Sequence, residues 1–241
     1  MLTNNRMFIN FPKERPALPP EFQAIYADQY KENRDGGSKA SGLAQKLESW
    51  MHRKVAADVQ SGTEKSTLEI GAGTLNQLRY EKTSNPYDII EPFGMLYENS
   101  AYLERVRNIY DDISAVPAEV RYDRITSIAA FEHICTLPDV VAKCGMLLAD
   151  GGTLRVGIPS EGTILWKLGY TFTTGLEFKR KYGLDYEILM RHEHVNTAKE
   201  IEEVLTYFFS SVKGTVFGLT KSLSLYQFYE CRTPRSTVCQ T

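Results

Sequence analysis

Three groups of residues have the types and spacing to do chemistry. The stretch Thr67-Leu68-Glu69-Ile70-Gly71-Ala72-Gly73-Thr74 joins a short β-favouring run to a carboxylate and two glycines one residue apart. Glycine lets the chain bend sharply and lets a ligand lie against bare main chain. The spacing predicts a buried strand, a tight turn and a helix starting near Thr74. At the carboxyl edge of a sheet, that arrangement holds a nucleotide-like cofactor. A dinucleotide fingerprint asks for a third glycine where Asn76 stands, and the same spacing also serves a plain strand-to-helix turn. Tyr87 to Glu91 reads as a second strand ending in an acid, 20 residues past Gly71, where a carboxylate binds two ribose hydroxyls. His192-Glu193-His194 forms the third group. In an extended segment the two histidines share a face, and an imidazole suits general-base work near neutral pH. Two loop histidines bonded to the backbone are the plain alternative.

Further motifs follow in order: Tyr122-Asp123-Arg124-Ile125, then Ala130-Phe131-Glu132-His133-Ile134, then Leu147-Leu148-Ala149-Asp150-Gly151-Gly152 running to Pro159. Residues 66 to 160 resemble the class I S-adenosylmethionine-dependent methyltransferases. The family pattern runs through an acid and G-x-G-T, an acid after the second strand, an E-H pair after the fourth, and L-L-x-P-G-G before the fifth, where this chain has Asp150 in place of the proline. The resemblance implies a Rossmann-like, doubly wound, mostly parallel seven-stranded sheet with a C-terminal antiparallel hairpin. It implies S-adenosylmethionine as cofactor, held by Glu69, Gly71, Ala72, Gly73, Glu91, Asp112, Ile113, Ala130 and Phe131. Asp112 and Ile113 are carried over as the adenine contacts, with Asp111 the near alternative and helix capping the competing role for Asp112. In quinone-methylating relatives a second Glu precedes Glu132 by three residues and a metal binds there. This chain has Ala129 at that position. The two lid histidines lack an evident third or fourth ligand, and no metal is expected.

Length and composition bound the rest. A chain of 241 residues with 42% hydrophobic and 24% charged residues suits one α/β domain with additions. A net charge of -2 without a basic tract argues against a dedicated nucleic-acid binder. Cys135, Cys144, Cys231 and Cys239 lack CxxC spacing and read as reduced thiols of a cytoplasmic protein. No run of about 20 apolar residues is present to span a bilayer.

The elements that position these groups divide as residues 1–62, an N-terminal extension and helical cap, and 63–241, the cofactor domain. A proline-rich lead-in precedes a helix from Glu21 to Lys31. A second helix places Leu43, Leu47, Trp50, Met51, Val55 and Val59 on one face and leaves His52 off it as a surface residue. In the resembled family such helices pack over the donor pocket. Helices are expected after Gly73 and through Leu96 and Leu103. Ser160 to Asn196, leaving strand five at the ligand edge, is the candidate acceptor lid. Thr197 and Glu200 form a capping box for the next helix, and two β-rich runs split at Thr220-Lys221-Ser222 form the closing hairpin. The catalytic candidates are His194, which precedes the returning helix, and His192. The lid composition suits a small-molecule or sugar-containing acceptor, and the Tyr26 to Trp50 region loosely resembles methyltransferases of surface-polysaccharide clusters. A nicotinamide-dependent oxidoreductase, which uses the same Gly71, Gly73 and Glu91, and a non-catalytic donor-binding module are the competing functions.

Overall fold

The apolar runs at β1 (Thr67–Ile70) and β2 (Tyr87–Ile90) are buried along their whole length, as strands are when both sheet faces are covered. The computed structural model describes residues 8–26, 42–60, 64–82 and 84–239. In it these strands join β3 (Asn108–Tyr110), β4 (Tyr122–Ile128), β5 (Leu148–Pro159), β6 (Phe209–Thr220) and β7 (Leu223–Pro234). The seven form one sheet in the order β3-β2-β1-β4-β5-β7-β6. Pairs among β1 to β5 are parallel, and β7 runs antiparallel to both β5 and β6. This is the Rossmann-like, doubly wound sheet with a closing antiparallel hairpin that the resemblance implies.

Alternation along β5 shows how the layers are built. Leu154, Val156 and Ile158 enter the main core. That core is completed by α2 (Leu137–Leu147) and α6 (Ala198–Phe208). Between them, Arg155 and Gly157 face α1 (Gly42–Val55): Arg155 bonds the Val55 carbonyl, and Gly157 lies under Met51. Met51 and Val55 pack with Ile128 and Phe228. Thr197 caps α6 in a full capping box with Glu200, as its sequence predicts, and Lys13 adds an ion pair to Glu200 at 2.5 Å.

The residues between β5 and α6 fold as α3 (Ile164–Tyr170), a π-helical turn (Thr171–Gly175), α4 (Leu176–Tyr182) and α5 (Tyr186–Glu193). Phe178 and Leu189 of this excursion bury Phe22 from the helical segment 20–26. Tyr30, expected on that N-terminal helix, lies outside the described residues, as does Gly62, whose residue type marks the expected end of the second helix.

The crossovers differ from expectation. No α-helix follows Gly73; the chain makes a short 3-10 turn at Asn76–Arg79, entered through Leu75 at φ 66°. Only Leu75 and Leu78 there enter the apolar core, too little apolar surface to seat a full helix. Arg105 donates to the carbonyls of Leu78, Glu81 and Lys82, satisfying groups a longer helix would have paired internally. Between β2 and β3, two turns at Gly94–Leu96 and Leu103–Arg105 stand in place of one helix. Among the described residues no helix is long and apolar enough to cross a membrane.

Candidate active site

The turn after β1 passes through Gly71 at φ 69° and Gly73 at φ 52°. A Cβ at Gly71 would lie 2.5 Å from that of Ala130, so glycine lets the loop sit against the β4 exit. At Gly73 no atom lies within 4 Å of a built Cβ, and the absent side chain leaves open cleft. Glu91 pins this loop from the end of β2. One carboxylate oxygen accepts from the Gly73 amide at 2.9 Å and the other from the Phe93 amide at 3.1 Å.

The cleft has a volume of about 470 Å³, within the usual range for small-molecule sites. One wall is Glu69, Gly71, Ala72 and Gly73, and α1 adds Glu48, Met51 and His52. Glu69 is buried and accepts from the Tyr87 hydroxyl at 2.9 Å. Burial pushes its carboxyl up to about 8, the Tyr87 bond works against that, and the Glu81 and Glu91 charges add to it. His52 is not a surface residue: it is 7% exposed, stacks on Tyr80 and meets Gln77 Oε1 through Nδ1 at 2.7 Å.

The opposite wall carries Ala129, Glu132, His133, Trp166, His194 and Tyr226. Ala129, the last residue before the β4 exit, holds φ 49°, a strained conformation for alanine of the kind that gathers at functional sites. Glu132 is 1% exposed, and its Oε2 has no hydrogen-bond partner. Burial holds its carboxyl above the ordinary range, with the nearby His133 and His194 opposing. His133 Nδ1 meets the Glu193 carbonyl at 2.9 Å, and its Nε2 faces Glu132 Oε1 at 3.8 Å. His194 Nδ1 meets Glu161 Oε2 at 2.7 Å, and the same oxygen accepts from Trp166 Nε1. Burial works to lower the His194 pKa, but Glu161, Glu132 and Glu193 outweigh it and hold the ring above its ordinary value. Glu132, His133 and His194 offer one ligand atom each, all within 4.8 Å of one another, and form a group able to hold a metal ion.

The fold therefore brings Glu69, Gly71, Ala72, Gly73 and His194 to one cleft. Others lie apart from its lining. Glu91 sits behind the loop with both oxygens on backbone amides. Asp112 is exposed and caps the turn at Ile113–Ala115 by accepting from the Ser114 amide at 2.8 Å. Ile113 and Phe131 are buried in the main core, and Ala130 backs Gly71. His192 does not share a face with His194. Both stand at the end of a helix rather than in an extended strand, and His192 Nδ1 turns to the Pro16 carbonyl at 2.7 Å with its ring edge-on to Tyr26. Sequence reasoning placed Trp166 in the expected lid, but missed Glu48, Glu161 and Tyr226 and took His52 for a surface residue. Glu161 carried a signal, since it follows Pro159 at the carboxyl end of a central strand; the others are brought in by packing.

Comparison with known proteins places the fold. No protein-family model matches the chain, and no curated protein matches it. Solved structures do. The plantazolicin methyltransferase BpumL, in complex with a monoazolic desmethyl-PZN analogue and SAH, superposes with a TM-score of 0.61 at 13% identity, covering 88% of this chain and 92% of that one. The N-methyltransferase NodS from Bradyrhizobium japonicum WM9, in complex with S-adenosyl-L-homocysteine, gives 0.54 at 13% identity, covering 89% and 100%. The CurJ carbon methyltransferase gives 0.55 at 20% identity, covering 88% and 58%. At such identities the likeness is one of fold, and the fold is that of class I methyltransferases.

Proposed function

We propose that this chain is a methyltransferase that uses S-adenosylmethionine and a small-molecule acceptor, with a sugar-containing molecule the favoured kind. One observation carries the proposal: a glycine turn with bare main chain opens onto a cleft whose far wall is built from Glu132, His133, His194 and Trp166. When bound, the cofactor supplies a methyl group already activated on a sulfonium, so the protein's work is alignment and exclusion of water. The residues fit such a group. Gly73 leaves room for the aminoacyl and sulfonium portion against the backbone. Glu69, buried beside it, gives that cationic portion a carboxyl to ionise. His52, Glu48 and Gln77 close the α1 side with polar groups. Glu91 acts from behind the loop, where its bonds to the Gly73 and Phe93 amides hold the turn in the shape the ligand meets. The acceptor enters from the Trp166 and Tyr226 side, whose aromatic faces suit a sugar ring. Neighbours of the same fold act on different acceptors, plantazolicin for BpumL among them.

Calorimetry with S-adenosylhomocysteine and, separately, with NAD tests the reading. S-adenosylhomocysteine should bind and NAD should not. Binding of NAD alone, or of neither, sinks it.

A further inference from the structure

We propose that Glu132, His133 and His194 form a binding site for a first-row divalent transition metal on the acceptor wall of the cleft. Its open positions would take an acceptor through a pair of neighbouring oxygen atoms. The metal site stands on geometry alone; the acceptor clause rests on the methyltransferase reading above.

Four observations point to a ligand. The ligand atoms of the three side chains lie within 4.8 Å of one another, and atoms about 2.1 Å from a shared ion sit roughly 3–4 Å apart, so side-chain adjustment alone closes the set. Glu132 is 1% exposed, yet its Oε2 lacks any hydrogen-bond partner. A buried carboxylate oxygen left bare is costly unless something binds it. Both imidazoles have, at Nδ1, the accepting outer partner that metal-binding histidines have. The Glu193 carbonyl at His133 Nδ1 and the Glu161 carboxylate at His194 Nδ1 accept from those nitrogens. Each Nδ1 therefore carries the proton, and each Nε2 presents a lone pair, the arrangement by which outer partners fix a ligating tautomer. Finally, the three side chains line the same cleft as the glycine turn.

Two imidazoles and one carboxylate select Zn²⁺, Co²⁺, Mn²⁺ or Fe²⁺ over Mg²⁺ or Ca²⁺, and a three-ligand set leaves adjacent positions open. Those positions suit an oxygen chelate. In the sequence, Ala129 stands where a second glutamate would complete a local metal motif, and this spoke against a metal. The fold draws the missing side chain from His194 instead, more than sixty residues further on, at the junction where the excursion returns to the sheet. Amides of Val195 and Asn196 bond the Glu132 carbonyl there, and Asn196 Nδ2 bonds the carbonyls of Phe131 and Ile134. With its Nε2 on a metal, His194 is a ligand rather than a general base.

The test uses full-length protein dialysed against chelator and titrated with Co²⁺, read by visible absorption and by calorimetry. Wild type should bind one Co²⁺ and show a ligand-field spectrum; Mg²⁺ should bind far more weakly. Adding acetohydroxamate, a bidentate oxygen probe, should change that spectrum. Glu132→Gln and His194→Gln should each abolish the spectrum. Glu161→Gln, which removes an outer partner, should weaken binding by roughly 10–100-fold. His192→Ala should bind as wild type does. A change at buried Glu132 can unfold the chain; in that case the wild-type titration and Glu161→Gln decide the matter. No Co²⁺ binding by wild type, or binding unaffected by His194→Gln, overturns the site; a spectrum indifferent to acetohydroxamate overturns the acceptor clause. Binding of S-adenosylhomocysteine without Co²⁺ defeats the metal alone, and Co²⁺ binding without S-adenosylhomocysteine defeats the methyltransferase reading alone.

Discussion

Glu69 shows how one side chain can be both wall and sensor. It sits beneath the glycine turn, wholly enclosed, with Tyr87 as its hydrogen-bond partner and a carboxyl pushed from 4.5 to about 8 by burial. The native state then holds a proton that the unfolded chain releases at lower pH. Its contribution to stability is fully present below about 4.5 and is lost as pH rises through about 8. At ~1.4 kcal/mol per pKa unit, the loss is on the order of a few kcal/mol. Glu69→Gln keeps an acceptor for Tyr87 and cannot ionise. Its melting temperature should therefore match wild type near pH 5 and exceed it increasingly toward pH 8. Thermal melts across that range check this; parallel curves would show that Glu69 is ionised in the folded protein. A cation entering the cleft should likewise ionise Glu69, so binding of S-adenosylmethionine should release protons that calorimetry in two buffers detects.

At the scale of elements, the glycine turn is governed by two different constraints. Gly71 is needed because the β4 exit is close, Ala130 standing 2.5 Å from where its Cβ would be. Gly73 is needed, on the functional reading, because a ligand lies there. Gly71→Ala should lower stability by roughly 1–3 kcal/mol through the clash and the left-handed backbone. Gly73→Ala should lose only about 1–2 kcal/mol to backbone strain, yet lower S-adenosylhomocysteine affinity at least tenfold. Paired melts and calorimetry separate the two; equal affinity losses from both would remove the distinction. This contrast was not legible in the sequence, where both glycines read as ligand contacts. The local patterns were legible: continuous apolar runs at β1 and β2, the Thr197–Glu200 cap, and the split runs of the hairpin. What the sequence could not carry was anything decided across the fold. Whether a helix followed Gly73 depended on Leu75 taking a left-handed conformation and on Arg105 capping the carbonyls of a turn that ends before residue 83. His52 looked solvent-facing because Gln77 and Tyr80, which enclose it, lie a whole strand away. His194 meets Glu161 and Glu132 only because the excursion folds back onto the β4 exit.

Across the whole molecule, the cleft is held closed on one side by α1, and α1 is held by two buried arginines from the sheet. The open carbonyls at its C-terminal end are a liability unless something donates to them. Arg155 of β5 donates to Val55 at 2.8 Å and to Lys54 at 2.7 Å, and Arg124 of β4 donates to Val55 at 3.0 Å. Their charges are balanced by Asp58, which approaches both, by Glu81 on Arg124 and by Glu230 on Arg155. Removing one partner of such a buried set leaves the rest uncompensated and costs about 3–5 kcal/mol. Arg155→Met keeps the bulk of the side chain but takes the donor from the Lys54 carbonyl, one of two donors from the Val55 carbonyl, and one of the cations beside Asp58 and Glu230. It should lower stability by that amount and raise hydrogen exchange through residues 42–59. Because Glu48, Met51 and His52 reach the cleft from α1, it should also weaken S-adenosylhomocysteine binding, although Arg155 does not line the cleft. Arg232→Ala is the matched comparison. That side chain also pairs with Glu230, but it is 46% exposed, so its loss should cost no more than about 1 kcal/mol and leave binding unchanged. If Arg155→Met destabilises the protein while exchange in α1 and ligand affinity stay at wild-type values, the arginines brace the sheet alone, and α1 is seated by the contacts of Met51 and Val55.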